Sequence, residues 1–484
     1  DDNHITIEGD TNLAWNEDIE LRFKALGWHV ITIPDGNDLD AIYGAIKAAQ
    51  DEKDKPSLIR IRTHIGYGSP KQDNPAVHGA PLTEEEEKAT KRFFGFPEDK
   101  RFYIPEEALN HFRKAIDRGR ELENEWNELF KEYEKAYPEL AKQFKQFING
   151  ELPEGWDADL PIYKDTSKKI ATRSASGDTL NKLADKLPNL IGGSADLAPS
   201  NKVVLKGKGD FYCDTPEGRN IHFGIREHAM GAIVNGMVLH GGVIPFGATF
   251  FVFSNYMRPS IRMASLMDIH SIFVFSHDSI GVGEDGPTHQ PIEQLMSFRL
   301  MPNVIVIRPA DANEVVEAWK IALTKKKPVM LILTRQNVPV LDPEKYPIKE
   351  GVKKGAYILE DVENPDVILI GTGSEVHIAL GAKRLLEEKG IKARVVSMPS
   401  WELFNEQSEE YKKSVIPADI PKVVVEAGVP TGWKDIVGEN SLVIGINQFG
   451  ASAPADVLMK HFGFTPENVA EKTEKFLQQQ LTRK

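Results

Sequence analysis

A chain of 484 residues is too long for a single hydrophobic core, so two or three domains are expected. Its 41% hydrophobic and 27% charged residues are ordinary for a soluble globular protein, and a net charge of −13 argues against nucleic acid or an anionic membrane as partner. No apolar run approaches a membrane span, and the single cysteine, Cys213, excludes an internal disulfide framework and fits a reducing, cytoplasmic compartment. The opening DDNHITIEGD resembles neither a signal nor a transit peptide and lacks an initiator Met, so it reads as the start of a fragment or a processed chain.

The first 82 residues alternate helix and strand signals: a helix from Leu21 to Leu26, a strand from Trp28 to Ile33, a helix from Asp40 to Ala49 and a strand from Ser57 to Ile61. That rhythm predicts a parallel sheet. Thr83 and Glu86 form a capping box, and Glu84 and Glu87 precede Lys88 and Lys91 by one helical turn, so the acidic run reads as a helix start, not a metal site. From Pro105 to Gly150 the chain is helical and polar, with Trp126, Phe130, Tyr133 and Tyr137 at a spacing that suits packing. Strand signals resume at Asn189–Ile191, Ile221–Phe223, Val243–Phe246, Ser271–Phe275, Val304–Ile307 and Val329–Leu333, and Asp311 with Glu314 caps a helix. A turn-rich linker from Asp342 to Gly355 leads to a third βαβ unit: strand Val367–Ile370, the loop Gly371-Thr372-Gly373-Ser374, a helix to Glu388 with Gly390 as its stop, and strand Ala393–Ser397.

Four segments carry the chemistry. SHDSIGVGEDGPTHQPIE, residues 276–293, places His277 and His289 around Asp278, Glu284 and Asp285 in a Gly- and Pro-rich loop beyond a strand end, where open α/β sheets bind ligands. Such groups exchange protons and bind hydroxyls, and they lack the spacing of a zinc helix. In FGIREHAMGAIVNG, residues 223–236, Glu227 is either a site carboxylate or a surface acid near the positive end of a helix dipole. The aromatics of GATFFVFSNY are either core or a binding wall, and the glycines of LIGGSADLAPSN are by themselves weak evidence of phosphate binding.

Taken in order, IGGSADLAPSN, FGIREHAMGAI, SHDSIGVGEDGPTHQP, RPAD, TRQN, GTGSEV and FGASAP resemble the succession found in transketolases, and DDNHITI, GWHV, IGYGSP and VHGAP extend the resemblance upstream over essentially the whole chain. The resemblance implies three α/β domains with mostly parallel sheets flanked by helices: residues 1–145 as the remnant of a diphosphate-binding domain plus helical linker, 146–345 as a pyrimidine-binding domain and 346–484 as a C-terminal domain. It implies reversible transfer of a two-carbon ketol unit between sugar phosphates, as in the pentose phosphate pathway and the Calvin cycle. Thiamine diphosphate would be the cofactor and Mg²⁺ or Ca²⁺ the metal, in a homodimer with shared active sites. A dihydroxyacetone synthase-like transferase, or a non-catalytic fragment that needs a separate N-terminal chain, are the alternatives.

Residue by residue, the resemblance makes Glu227 the carboxylate that activates the aminopyrimidine ring, and Phe250, Phe253 and Tyr256 the aromatic wall that receives it. Asp196 and Leu197 match positions near the cofactor, as does His78. Arg173, Ser200 and Arg335 would bind the terminal phosphate, Asp285 a substrate hydroxyl, and His78, His277 and His289 would work close to the reacting carbons. Asn3 and the backbone oxygen of Ile5 match metal ligands of the hard, oxygen type. The family's GDG segment and its Asp would lie before Asp1, which leaves the first domain incomplete and puts catalysis by the isolated chain in doubt.

Overall fold

The structure, a computed structural model, describes residues 1–483, and the chain divides into two compact units, 1–129 and 130–484. In the first, the expected βαβ rhythm is present: strand His29–Ile33 pairs in parallel with Ser57–Ile61, His29 opposite Ser57, across the helix Leu39–Asp51. Asp38 caps that helix by accepting from the Ala41 amide at 2.9 Å. The Thr83–Glu86 capping box is formed in both directions and starts helix Glu84–Phe94. The acidic run is thus a helix start, as its pairing with Lys88 and Lys91 requires. A two-stranded sheet buries little. Ile33 and Ala45 are the buried apolar side chains of this unit, while Leu21, Leu26, Leu39 and Tyr43 are exposed.

The second unit is built on two sheets. Six parallel strands lie in the order Ile305–Ile307, Val329–Leu333, Ile272–Ser276, Ile244–Phe250, Leu190–Ser194 and Asn220–His222. Both faces are covered, so the strands are apolar almost throughout. The chain leaves Leu190–Ser194 toward one edge and leaves Ile244–Phe250 toward the other, which makes the carboxyl ends of those two neighbours a topological switch point. Five strands form the second sheet, in the order Tyr357–Glu360, Ala393–Ser397, Val367–Gly371, Lys422–Val425 and Ser441–Ile444, the first antiparallel and the rest parallel. One buried apolar cluster runs from Ala175 to Ala470 and includes side chains of both sheets, among them Leu331, Val367 and Val423.

Several boundaries differ from the sequence reading for identifiable reasons. Strand Leu190–Ser194 runs on through its glycine pair, because a Cβ at Gly193 would lie 1.9 Å from the Ile221 carbonyl oxygen of the adjacent strand. Those glycines serve strand packing and do not form a phosphate-binding turn. Strand Ile244–Phe250 likewise extends through Gly247. The supposed linker holds the helix Ile348–Val352. The aromatic stripe packs ring on ring, Phe130 against Tyr133 and Phe144 and Tyr133 against Tyr137, with Tyr137 left exposed.

Candidate active site

The carboxyl ends of the six-stranded sheet collect most of the residues singled out from the sequence. Beyond Leu190–Ser194 come Asp196, Leu197 and Ser200; beyond Asn220–His222 comes Glu227; Ile244–Phe250 ends in Phe250 and continues to Phe253 and Tyr256; Ile272–Ser276 leads to His277, and Val329–Leu333 to Arg335. A cleft of about 340 Å³ opens at this end, lined by Gly193, Asp196, Pro199, Asn220 and Gly224.

Glu227 is the first residue of helix Glu227–His240 and is buried, and among the described residues its carboxylate has no hydrogen-bond or ion-pair partner. Its carboxylate is thus free to accept a hydrogen bond from a ligand. The small residues that follow it have a packing reason: a Cβ at Gly231 would lie 2.7 Å from that of Ser260 on helix Ser254–Leu266. Phe250 and Phe253 stack nearly parallel, 10° apart with centroids at 5.8 Å, an arrangement suited to a flat heterocycle. Tyr256 approaches Phe253 at 6.2 Å but is 67% exposed.

His277 stacks on Phe250 at 3.6 Å, and His289 meets Phe253 edge-on at 5.4 Å. His277 is buried, with a left-handed backbone at φ 65°; Asp196 shares that conformation at φ 63°. Burial, reinforced by the nearby charges of Arg173, Arg335 and His289, pushes the His277 imidazole down to about 3. Arg173 is held by the Ser200 carbonyl at 2.8 Å, and its Nε is buried without a partner. Burial and then the charge of Arg335 lower its affinity for its proton. Two like charges kept together beside an orphaned donor form a site for an anion. Asp285 is exposed on the loop, and His289 is half-buried with Nδ1 3.0 Å from Thr288 Oγ1.

Asp278 belongs elsewhere. The sequence placed it among the proton-exchanging acids of the loop, but it is buried and ion-paired with Arg308 at 2.7 Å. Two further pairs of residues escaped the sequence reading. Asn201 and Ser276 hydrogen-bond behind His277, and Thr172 and Thr334 exchange hydrogen bonds beside the two arginines. A serine closing the otherwise apolar run IFVF was the available signal for Ser276.

Asn3, Ile5 and His78 lie in the first unit. Asn3 Oδ1 accepts from the Ile5 amide at 2.9 Å, so the two residues share one tight turn, and the donors they offer a metal are oxygens of the hard kind. His78 is exposed at the end of the turn Pro75–Val77. Among the described residues no group of three or more His, Cys, Asp or Glu side chains could hold a metal, and no helix is long and apolar enough to cross a membrane.

Three domain families match in succession: "Transketolase, thiamine diphosphate binding domain" over residues 1–153, "Transketolase, pyrimidine binding domain" over 168–340 and "Transketolase-like TK C-terminal domain" over 355–465. Transketolase from Aquifex aeolicus is 55% identical over 475 residues, which is 98% of this chain and 68% of that protein. The Halalkalibacterium halodurans transketolase is 50% identical over 99% of this chain and 72% of its own length. Crystal structures of Pichia stipitis transketolase, one of a mutant with xylulose-5-phosphate and one of a complex with sedoheptulose-7-phosphate, superpose with a TM-score of 0.94 at 42% identity, over 99% of this chain and 71% of theirs. The chain belongs to the transketolase family of thiamine-diphosphate-dependent transferases.

Proposed function

We propose that the chain transfers a two-carbon ketol unit from a ketose phosphate to an aldose phosphate at the carboxyl end of its six-stranded sheet. The observation that carries this reading is that His277 stacks on Phe250, itself stacked on Phe253, and also lies within reach of the charges of Arg173 and Arg335. An apolar slot for a ring and a cationic seat for a phosphate then share one histidine. Thiamine diphosphate, when bound, supplies the carbanion-stabilising chemistry that no side chain offers.

The chain's own residues do the rest. Glu227 would accept a hydrogen bond from the cofactor's aminopyrimidine ring, Phe250, Phe253 and Tyr256 would hold that ring, and Asp196 and Leu197 would complete its surroundings; His78, a residue of the first unit, is assigned to the cofactor by the family resemblance alone. Arg173 and Arg335 grip the substrate phosphate with help from Ser200, and Asp285 reads a hydroxyl. His277, neutral because of its burial and its cationic neighbours, and His289 bind and orient oxygens at the reacting carbons. Asn3 and the Ile5 carbonyl provide oxygen ligands for Mg²⁺ or Ca²⁺. Two copies of the chain pair, a reading supported by the exposed Ile225, Ile233, Leu239, Met263 and Leu266 on and beside the helices Glu227–His240 and Ser254–Leu266. The lone Cys213 fits a cytoplasmic setting.

The test is ketol transfer assayed with phosphorylated and unphosphorylated acceptors. Arg173→Ala or Arg335→Ala should raise KM for phosphorylated sugars roughly 10- to 150-fold, the worth of a hydrogen bond to a charged group, and leave unphosphorylated acceptors unchanged. Equal losses for both acceptors would remove the phosphate role.

A further inference from the structure

Behind His277 runs a buried chain of side-chain hydrogen bonds whose direction is set by chemistry alone. Asn201 and Ser276 are completely buried. One end of the Asn201 amide lies 2.9 Å from the Thr249 carbonyl oxygen, which can only accept, so that end is the NH₂ group. The other end, Oδ1, accepts from Ser194 Oγ at 2.6 Å, while Ser194 Oγ also lies 2.9 Å from the Ala248 carbonyl. The single Ser194 hydroxyl proton is shared between those two acceptors, so it is the Thr249 carbonyl that sets the orientation of Asn201. Its NH₂ also lies 2.7 Å from Ser276 Oγ, which must accept there. The Ser276 hydroxyl proton is then free for His277 Nδ1 at 2.8 Å.

A nitrogen that accepts this proton carries none of its own. In a neutral imidazole the ring proton must then sit on Nε2. We propose that Asn201 and Ser276 act as positioning residues that lock His277 as its Nε2–H tautomer, so that the ring meets the substrate as a hydrogen-bond donor. This rests on the reading that His277 faces the sugar phosphate. Among the described residues Nε2 has no hydrogen-bond partner, which leaves that proton for an oxygen of the ligand. Stacking on Phe250 fixes the ring plane, and the Ser276 bond fixes which edge points away from it.

The relay is tested in the intact chain labelled with ¹⁵N-histidine, where long-range ¹⁵N–¹H correlations identify the protonated ring nitrogen. The His277 signals are assigned by their loss in His277→Gln. A protonated Nε2 and bare Nδ1 in the wild type is the expected result; a protonated Nδ1, or a ring exchanging between both forms, overturns the lock. In Ser276→Ala the ring should become a tautomer mixture and kcat for ketol transfer should fall roughly tenfold, the scale of one lost hydrogen bond. Ser276→Thr, which keeps the hydroxyl, should restore both. A Ser276→Ala ring still held as Nε2–H would also overturn the proposal. Unimpaired turnover in His277→Gln would instead defeat the reading of the site, a result distinct from the identity of the protonated nitrogen.

Discussion

Glu227 separates function from stability at a single side chain. Its side chain stands at a helix start with no hydrogen-bond or ion-pair partner among the described residues, so it gives the fold little beyond its attraction to the helix dipole. Glu227→Gln should therefore melt close to the wild-type temperature while ketol transfer falls at least a hundredfold; a clearly lower melting temperature with retained activity would mean that the carboxylate is structural. His277 gives a pH signature with a definite sign. Its folded value of about 3 lies below the ordinary 6.5, so the unfolded chain takes up the proton first as the pH drops. The stability it contributes is complete above pH 6.5 and is lost progressively toward pH 3. Denaturation midpoints of the wild type should fall more steeply than those of His277→Gln across this window, and parallel curves would contradict a neutral buried ring. At this scale the sequence offered residue types but not partners. His277 and Asp278 are adjacent and equally polar, yet one faces a phenylalanine and the other a buried arginine thirty positions away in the chain. Only folding distinguishes them.

Between strand and helix, the two arginines proposed to seat the phosphate depend on a reciprocal threonine pair. The Thr172 amide donates to Thr334 Oγ1 at 2.9 Å, the Thr334 amide donates to Thr172 Oγ1 at 2.6 Å, and the Arg173 amide reaches the Thr334 carbonyl at 3.4 Å. Thr172 starts the helix Thr172–Lys186, and Thr334 follows strand Val329–Leu333, so these bonds set the spacing of Arg173 and Arg335. Thr334→Val preserves shape and removes an acceptor. It should raise KM for phosphorylated acceptors by roughly tenfold, with little change in kcat or toward unphosphorylated sugars, and Thr334→Ser should behave as wild type. A uniform loss against both acceptors would make the pair a fold contact only. Elements of this kind were largely legible beforehand. The apolar runs of both sheets and the Asp311–Glu314 cap are visible in sequence because burial on two faces forces them to be apolar and because an N-cap needs its side chain. Strand ends were legible only roughly, since Gly192 and Gly193 look like a turn until the neighbouring backbone explains them. The short edge strand Ser441–Ile444 carried no alternation to betray it.

On the scale of the whole second unit, the two sheets are joined by charges as well as by apolar packing. Arg308 sits 1% exposed, donates to Asp278 at 2.9 Å and to the Thr372 carbonyl at 3.0 Å, and pairs with Glu375; Glu375 in turn accepts from the Ala427 amide at 3.0 Å. Alongside, Arg299 pairs with Glu426 at 2.8 Å and lies over the ring of Trp401 at 4.3 Å. Asp278 directly follows His277, so this network anchors the back of the site to the C-terminal sheet. Its energetics are asymmetric. Forming buried ion pairs yields little net stability, but removing one partner strands the rest, here two carboxylates with no counter-charge. Arg308→Met should thus cost about 3–5 kcal/mol and depress kcat through the displaced His277 segment. The exposed pair Lys164–Glu344, 65% and 73% exposed, is the control, and Lys164→Ala should change stability by less than about 1 kcal/mol. Neutralising the stranded acids in the triple variant Arg308→Met, Asp278→Asn, Glu375→Gln should recover much of the lost stability, because the penalty comes from uncompensated charge and not from lost volume. Denaturant titration of the four proteins decides the matter: if the triple variant is no more stable than Arg308→Met alone, the guanidinium matters for its packing and the electrostatic account of the joint is wrong.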